Sequence, residues 1–491
     1  MSENKPLSPG DSFFLLIESE NTPSQIGVLA RMKLPEGADK RFIRDMVENF
    51  RKYQPTLPPF NLKLAERSAK QPMYAWETVE NIDIDYHLRH SALPQPGGER
   101  ELAILISRLH SIPLDHRRPM WEFHVIEGLE DDCFAIYGKM HHALIDGVAG
   151  ARLMSQWISQ TTPEVSADFL PIWAMKRKPR PRKQKDPSTD SVSYSQALWA
   201  TVSDPVKAVT GVFSATLDSI IGTRSKKHPD LVAPYTAPAS ILNSPVGPQR
   251  RVSTVEFSTQ RLLNIGKALG GTLNDVVMAI CGGALRDYLL ELDALPDKPL
   301  ISQVPVSFRP KDDAGGGNAI GMMLASLGTD KEDPLARFEK VRSSMSAGKA
   351  LLADMSAAQI TAYSAIMTLP FALGQMTGVG NRSKRPMYNV VISNVPGPRE
   401  TRYFNGAEVY SLHPVSFVMQ GQALNITLFT YADKITFVFT ACREALPSLQ
   451  RLVTHTTEAL ESLESAQARA AKKASPGRKR KAVKKAKATG K

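Results

Sequence analysis

Apolar residues follow two different periods along the first third of the chain. They recur every three or four residues over 41–53, 99–115 and 147–159, which predicts helices. They alternate with polar residues or run together over 121–129 and 133–142, which predicts two strands joined by a turn. Residues 1–170 are therefore predicted to form one α/β unit.

The same two periods return after residue 250. We expect a second α/β unit over 251–465, joined to the first by a basic, Pro- and Ser-rich crossover segment, 171–250, with one amphipathic stretch, VKAVTGVFSATLDSIIG. Helical spacing predicts helices over 272–292, 333–352 and roughly 446–470. Strands are predicted over 252–258, 300–310, 388–398, 409–417, 424–431 and 434–442.

The formal net charge of +12 is concentrated in two segments. The tail 471–491 carries ten Lys or Arg and no acid, and 176–185 carries seven more, so the remainder has 12 − 10 − 7 = −5. A run of this kind is typical of a disordered arm. An anionic membrane or lipid-inclusion surface fits such an arm, nucleic acid is an alternative partner through its phosphates, and a solvated tail without a partner is a third.

The composition also limits the compartment and the class of site. Cys133, Cys281 and Cys442 lie far apart without a CxxC spacing, which argues against a disulfide framework and a zinc site. The opening MSENKPLSPGDSFF has no secretory pattern, and no run of 18 apolar residues occurs. We expect a cytoplasmic protein that contacts the inner membrane or lipid inclusions peripherally.

The stretch MHHALIDG places two histidines at the end of a predicted strand. Alternation puts His142 on the more apolar face, where Gly138 leaves room, and His141 on the face of Lys139 and Tyr137. A shielded, neutral imidazole at position 142 is suited to act as a general base, with His141 bracing the loop. Asp146 would orient the base, pair with an arginine or cap the following helix.

The alternative is purely structural, with His142 a hydrogen-bonded interior histidine and Asp146 an N-cap. Metal binding is not favoured, because adjacent histidines on a strand point to opposite faces and no third ligand stands at a useful spacing. The chain has no GxSxG elbow to supply a serine nucleophile. If His142 is catalytic, it acts as a base on a substrate hydroxyl, amine or thiol.

Several ordered blocks resemble one enzyme family. HHALIDG matches the HHxxxDG motif of the coenzyme-A-dependent acyltransferase superfamily, which includes chloramphenicol acetyltransferase and condensation domains. PLDHRRPMW (113–121) resembles the PLDxxxPLW block of the bacterial wax ester synthase/diacylglycerol acyltransferase family, with Met120 in place of Leu, and TLNDVVMA (272–279) resembles its ND block. PLSPGDSFFLLIES, VPVSFRP and SNVPGP stand in the family's order, so the resemblance covers about residues 6–465.

The resemblance implies a fold and a reaction. The fold would be two chloramphenicol-acetyltransferase-like domains with mixed sheets and an active-site tunnel at their interface. The reaction would transfer a fatty acyl group from acyl-CoA to a long-chain alcohol, giving a wax ester, or to diacylglycerol, giving triacylglycerol. A thioester is already activated, so neither an acyl-enzyme nor a cofactor is needed, and His142 would be the base.

The resemblance also implies roles for other residues. In the motifs, His141 and Asp146 would support the base, with Arg309 pairing with Asp146, and Asn274 would hold the oxyanion or a polar substrate atom. Four residues would lie against substrate: Glu18, Gly147, Ser393 and Asn394. Asp275 would cap a helix and Trp121 would pack in the core. Two alternatives remain open, namely a condensation-type enzyme with a carrier-bound thioester and a non-catalytic protein that binds lipid bodies or nucleic acid through its tail.

Overall fold

The computed structural model describes residues 4–67, 73–145, 147–175, 228–308, 319–355, 360, 363 and 385–474. Asp146, Arg309, the basic block 176–185, the amphipathic stretch 206–222 and tail residues 475–491 lie outside the described residues.

Helices occur in both halves of the chain, and three of the described ones begin after a residue whose side chain caps them. Thr272 and Asp333, for example, accept hydrogen bonds from backbone N–H groups of the first turn that follows. The described helices are α1 (Pro9–Leu16), α2 (Phe42–Arg51), α3 (Ile84–His87), α4 (Glu99–Ser111), α5 (Gly147–Trp157), α6 (Thr259–Ala268), α7 (Leu273–Glu291), α8 (Pro334–Ala353) and α9 (Leu449–Ala474).

Strands form one three-stranded and two six-stranded sheets among the described residues. In the first half they are β1 (Lys5–Pro6), β2 (Gln25–Lys33), β3 (Leu62–Leu64), β4 (Ala75–Thr78), β5 (Leu88–Ala92), β6 (Trp121–Leu129) and β7 (Cys133–His141). In the second half they are β8 (Arg250–Ser258), β9 (Ile301–Phe308), β10 (Ala319–Ser326), β11 (Val390–Pro396), β12 (Arg402–Phe404), β13 (Ala407–Val415), β14 (Leu424–Tyr431) and β15 (Lys434–Cys442).

The two large sheets contain the same four-stranded pattern. The first has the order β12-β13-β2-β7-β6-β5 and the second β10-β9-β11-β14-β15-β8. In the first, β2 and β7 are antiparallel, β7 and β6 are antiparallel, and β6 and β5 are parallel. In the second, β8, β15, β14 and β11 follow with the same three relations. The prediction of two α/β units with mixed sheets is confirmed.

The second half of the chain also contributes to the first sheet. β13 pairs with β2 in antiparallel register, Val415 opposite Gly27, and β12 pairs with β13. The prediction that 251–465 forms the second unit alone is therefore wrong for β12 and β13. Alternation along a strand reports which side chains are buried, but it does not identify the partner strand.

Helix α4 lies between the two sheets. On one side it packs against β7 through Leu105, Ile106 and Tyr137, all buried. On the other side it covers β8, the edge strand of the second sheet. Ser107 Oγ accepts the Val252 N–H at 2.9 Å and Ser111 Oγ accepts the Arg250 N–H at 2.8 Å, so two serines one turn apart satisfy donors of an edge strand.

The described ends of the predicted crossover segment are packed rather than free. Trp173 is 1% exposed in the aromatic core of the first unit, and Leu242 is 0% exposed in the core of the second. The linker boundaries of 171–250 are therefore too wide at both ends. The predicted tail is too long by the same measure, because α9 continues to Ala474.

Within the described part of the chain, no single helix is both long and apolar enough to cross a membrane. Helices α6 and α7 pass that test only when taken together, and they meet at a bend of 99°.

Candidate active site

The histidine pair lies where β7 leaves the first sheet. The His141 N–H donates to the Met120 carbonyl at 3.0 Å, and the His142 N–H donates to the Ser24 carbonyl at 2.8 Å. The His142 ring is stacked on Phe14, with centroids 3.8 Å apart and planes at 24°, and meets Phe417 nearly edge-on at 5.6 Å. The room beside Gly138 is not available to this imidazole, because a Cβ there would lie 2.5 Å from the Phe123 ring.

The burial of the two histidines is the reverse of the predicted one. His141 is 1% exposed, whereas His142 is half-buried. His141 is buried because β7 is covered on both faces. His142 is less buried because the strand ends at His141, so that His142 belongs to the following turn. Position on the more apolar face therefore did not decide which imidazole is shielded.

Both ring nitrogens of His141 are engaged. Nδ1 accepts the Ala143 N–H at 3.0 Å, so the proton of a neutral ring is assigned to Nε2, which lies 3.1 Å from Glu18 Oε2. A ring with one nitrogen accepting and the other donating has no lone pair left for a substrate proton. His141 therefore braces the turn that carries His142.

Glu18 joins three groups at this strand end. Its Oε1 accepts the Ser24 N–H at 2.9 Å, and its Oε2 lies 3.1 Å from His141 Nε2 and 2.9 Å from His116 Nε2. Burial alone would raise the pKa of the Glu18 carboxyl, but the hydrogen bonds from His116 and His141 outweigh burial and lower that pKa to about 2. The same contact raises the pKa of His116.

Ser24 makes three hydrogen bonds that connect the segments around the site. Its carbonyl holds the His142 N–H, its N–H is held by Glu18, and its hydroxyl donates to the Phe14 carbonyl at 2.9 Å. The side chain is 1% exposed. Ser24 thus fixes the backbones of both rings in the Phe14–His142 stack.

Glu18, His116 and His141 are also ligand types for a metal, since one ligand atom from each lies within 4.8 Å of the others. The tautomer of His141 argues against that role. To bind a metal through Nε2, the ring would carry its proton on Nδ1, where it would oppose the Ala143 N–H. Hydrogen bonding accounts for the cluster, and the expectation of no metal stays a prediction.

Phe417 reaches the site because β13 crosses into the first sheet. The preceding carbonyl, of Ser416, accepts a hydrogen bond from His110 Nε2 at 2.9 Å, and His110 Nδ1 accepts the Tyr137 hydroxyl at 2.7 Å. Burial lowers the pKa of His110 to about 3, so the ring is neutral and keeps this donor–acceptor arrangement. The aromatic surroundings of His142 therefore come from both ends of the sequence.

The polar pair Asn274 and Asn394 lies in the second unit. Asn274 is the second residue of α7, Asn394 lies on β11, and the Asn394 amide donates to Asn274 Oδ1 at 2.7 Å. Asp275 is 4% exposed, and its Oδ2 accepts both the N–H and the hydroxyl of Thr272 at 2.8 Å, closing a capping box. The helix start is thus fixed by Asp275, while Asn274 is left to meet β11.

Three other predicted residues have simple environments. Trp121 is fully buried, donates from Nε1 to the Phe60 carbonyl at 2.8 Å and stacks on Trp173. Gly147 is exposed at the first position of α5, with open space where a Cβ would be. Ser393 lies on β11 opposite Thr427 of β14.

The structure thus gathers the predicted residues into two groups. Glu18, His141 and His142 form one at the end of β7, and Asn274 and Asn394 form the other. Asp146 and Arg309 lie outside the described residues. Sequence reasoning did not assign roles to Phe14, Ser24, His116, His110 and Phe417. Phe14 and His116 stand within blocks that carry the family resemblance, which was the available signal.

Two family models match most of the chain. The model of the wax ester synthase/diacylglycerol acyltransferase catalytic domain matches residues 7–277, and that of the WS/DGAT C-terminal domain matches 316–464. The chain belongs to this family. Its relatives include an O-acyltransferase WSD of Acinetobacter baylyi, 42% identical over 93% of this chain and 96% of the relative. A probable diacylglycerol O-acyltransferase of Mycobacterium tuberculosis is 40% identical over 92% and 97%.

Solved structures place the fold in the same group. A wax ester synthase/diacylglycerol acyltransferase from Marinobacter aquaeolei VT8 has a TM-score of 0.73 and 32% identity, and the match covers 94% of this WS/DGAT chain and all of that one. The first condensation domain of the CDA synthetase, at 15% identity and a TM-score of 0.53 over 95% and 97% of the chains, shares the fold alone.

Proposed function

We propose that this WS/DGAT protein transfers a fatty acyl group from acyl-CoA to the hydroxyl of a long-chain alcohol or of diacylglycerol, with His142 as the general base. Family membership and the names of the relatives, which are O-acyltransferases and diacylglycerol O-acyltransferases, support the reaction class. Wax ester and triacylglycerol are the corresponding products.

The observation that carries the assignment of the base is the contrast between the adjacent histidines. His141 is buried and has both nitrogens engaged, whereas the half-buried His142 ring lies at the meeting point of α1, the end of β7 and the segment after β13. A base needs a ring that is held firmly and is still reachable by substrate. His142 meets both requirements.

The proposed reaction needs one proton relay. His142 takes the acceptor hydroxyl proton while the oxygen attacks the thioester carbon, and a tetrahedral oxyanion forms. Collapse of that intermediate breaks the C–S bond, and the imidazolium returns the proton to the CoA thiolate. A positioned base contributes typically about 10²–10⁴-fold to the rate.

The second half of the chain is proposed to stabilise the oxyanion or hold a polar substrate atom. Asn394 donates to Asn274 Oδ1, which leaves the Asn274 amide as a fixed donor at the start of α7. Ser393 and Gly147 are proposed to lie against substrate, and an Arg309–Asp146 pair to tie the catalytic loop across a tunnel between the units. Acyl-CoA is the donor substrate, and no cofactor is proposed.

A peripheral location is part of the proposal. The Lys/Arg-rich residues 475–491 would hold the cytoplasmic enzyme at an anionic membrane or lipid-inclusion surface, where long-chain acceptors accumulate. Sedimentation of the full chain with anionic and neutral vesicles, before and after removal of 475–491, tests this point. If the full chain bound nucleic acid as well as it bound anionic vesicles, nucleic acid would be favoured as the partner of these residues.

The reaction is tested by thiol release from palmitoyl-CoA with hexadecanol, with a diacylglycerol and without acceptor. We expect acceptor-dependent release that falls by about 10²–10⁴-fold in His142→Ala. Arg443→Ala, at the matching position of the second unit, should keep the wild-type rate. Thiol release that survives in His142→Ala would refute His142 as the base. Thiol release that needs a carrier-bound substrate, and that neither hexadecanol nor the diacylglycerol supports, would refute the proposed acceptor class.

A further inference from the structure

The imidazole of His142 shares its ring face with one aromatic residue. Phe14, near the end of α1, lies parallel to it at 3.8 Å, whereas Phe417 approaches nearly edge-on. The face of a benzene ring carries negative charge density and attracts a cation placed over it. A neutral imidazole gains little from that field, whereas an imidazolium gains more.

We propose that Phe14 is a positioning and charge-stabilising residue that acts through His142, favouring the imidazolium that forms when His142 takes the acceptor proton. The proposal rests on the proposed base and goes beyond it, because it gives the first block of the chain a role in the transition state. Charge appears on His142 only as the reaction proceeds, so stabilising that charge lowers the barrier.

Hydrogen bonds to the backbones of Phe14 and His142, and not side-chain packing alone, hold the two stacked rings together. The Ser24 hydroxyl holds the Phe14 carbonyl and the Ser24 carbonyl holds the His142 N–H, so a single residue sets the spacing of the two rings. The Phe417 ring meets Phe14 edge-on, with ring centroids 6.1 Å apart. Phe14 is therefore held in place before substrate arrives.

Other charged groups near His142 do not depend on this ring. Glu18 faces the site from the turn after α1, His141 precedes His142 on its own segment, and His116 comes from the segment after α4. The segment 414–418, which carries Phe417, has no titratable residue. Replacing Phe14 leaves all these groups in place, so a change in the pKa of His142 would report the ring.

The test is NMR titration of the imidazole signals of the full chain, with the His142 signal identified by its loss in His142→Ala. Phe14→Leu should lower the pKa of His142 by about half a unit and kcat by about two- to fivefold, with a smaller change in KM. Phe13→Leu is the matched control, because the Phe13 ring packs edge-on against Phe14 instead. It should leave both quantities near their wild-type values.

Phe14→Trp keeps the test decisive if the leucine variant does not fold, because the larger ring face should hold the pKa of His142 at or above its wild-type value. An unchanged or higher pKa in Phe14→Leu, or a lower one in Phe14→Trp, would overturn the proposal. These results are separable from failure of the proposed base, which appears as activity in His142→Ala and does not depend on the titration.

Discussion

The two four-stranded units repeat the same backbone contacts at the end of their hairpins, yet among the described residues the candidate site lies in one of them. His141 opposite Gln25 in the first unit corresponds to Cys442 opposite Arg250 in the second. The His142 N–H donates to the Ser24 carbonyl at 2.8 Å, and the Arg443 N–H donates to the Gln249 carbonyl at 3.0 Å. The preceding N–H of each unit is also bonded, to Met120 in one and Ala423 in the other.

The difference lies in what covers each strand end. In the second unit Cys442 is fully buried with Val246, Val418 and Ala423, so the end is closed by apolar packing. In the first unit Glu18 and Ser24 supply polar partners, and His142 stays half-buried. The segment 416–418 contacts both ends, with Phe417 against His142 and Val418 beside Cys442. The fold therefore provides two equivalent strand ends, and the side chains around them differ, so that the candidate site lies at the first.

The largest effect is expected where the two units are alike. Trp121 and Leu424 begin the first strand of each hairpin and are buried. Trp121→Ala should lower the free energy of unfolding by about 3–5 kcal/mol and Leu424→Ala by about 2–5 kcal/mol, because each leaves a cavity. Urea titration measures both losses.

Activity per folded molecule should survive in both of these variants. A loss of kcat in folded Trp121→Ala with little loss of stability would contradict the assignment of this residue to the core.

The ends of β7 and β15 should respond differently to substitution: a change at the first should lower activity, and a change at the second should lower stability. Glu18→Gln removes the carboxylate that accepts from His141 and His116, and its amide would turn a donor toward one of them. We expect kcat to fall by about tenfold, the lower end of the loss found when a group that orients a metal-bound histidine is removed. Acceptor-dependent thiol release at saturating acyl-CoA measures it.

Cys442→Ala is the matched change in the second unit, and it should cost stability while leaving kcat within about twofold of wild type. Equal losses of kcat in the two variants would show that the ends are coupled as one structure, and the comparison would fail.

The repeat itself could be predicted only in part. The hairpins β6–β7 and β14–β15 and helices α4, α7 and α8 were found close to their observed bounds. The apolar pattern of α7 and α8 is not one-sided, but the capping residues Thr272 and Asp333 mark where these two helices begin. β2 was missed, although Ile26, Val28, Ala30 and Met32 alternate along it and Leu29 alone breaks the pattern. β13 was found as a strand but assigned to the wrong sheet, because partner choice depends on long-range pairing that a local pattern does not contain.

The same limit applies to the site. His142, Asn274 and Glu18 came from motifs, whereas Ser24, His110 and Phe417 have roles only because distant segments meet. Ser24 acts through its backbone as well as its hydroxyl, and a sequence does not show which backbone carbonyl will accept a hydrogen bond from the turn that carries His142. Phe417 lies 275 positions after His142, with β12 and β13 between them.

A smaller effect is expected where α4 covers the second unit. Ser107→Ala removes the acceptor of the buried Val252 N–H and should lower the free energy of unfolding by about 1 kcal/mol. Ser155→Ala on α5 is the control, because Ser155, like Ser107, donates to the carbonyl four residues earlier. It should cost less, and equal losses would indicate that the contact with β8 contributes nothing beyond the helix itself.

The smallest effect concerns His116, which belongs to the polar end alone. The Glu18 contact raises the pKa of His116 above its ordinary value of 6.5, so its contribution to stability is fully present below pH 6.5 and is lost as pH rises through the raised value. The Glu18 pKa, lowered from 4.5 to about 2, gives a contribution present above pH 4.5 and lost toward pH 2. The pair therefore stabilises the fold most between pH 4.5 and 6.5.

His116→Asn should accordingly reduce the free energy of unfolding most in that window, and less at pH 8. The His116 side chain is 45% exposed, so solvent screening keeps the loss below about 1 kcal/mol. Urea titrations of both proteins at pH 5.5 and 8 measure the difference. Lys331→Ala, which removes an exposed pair with Asp330 in the second unit, should show no such dependence. A loss for His116→Asn that is equal at both pH values would mean that His116 contributes by packing, and the polar end would then owe its arrangement to Glu18 and His141 alone.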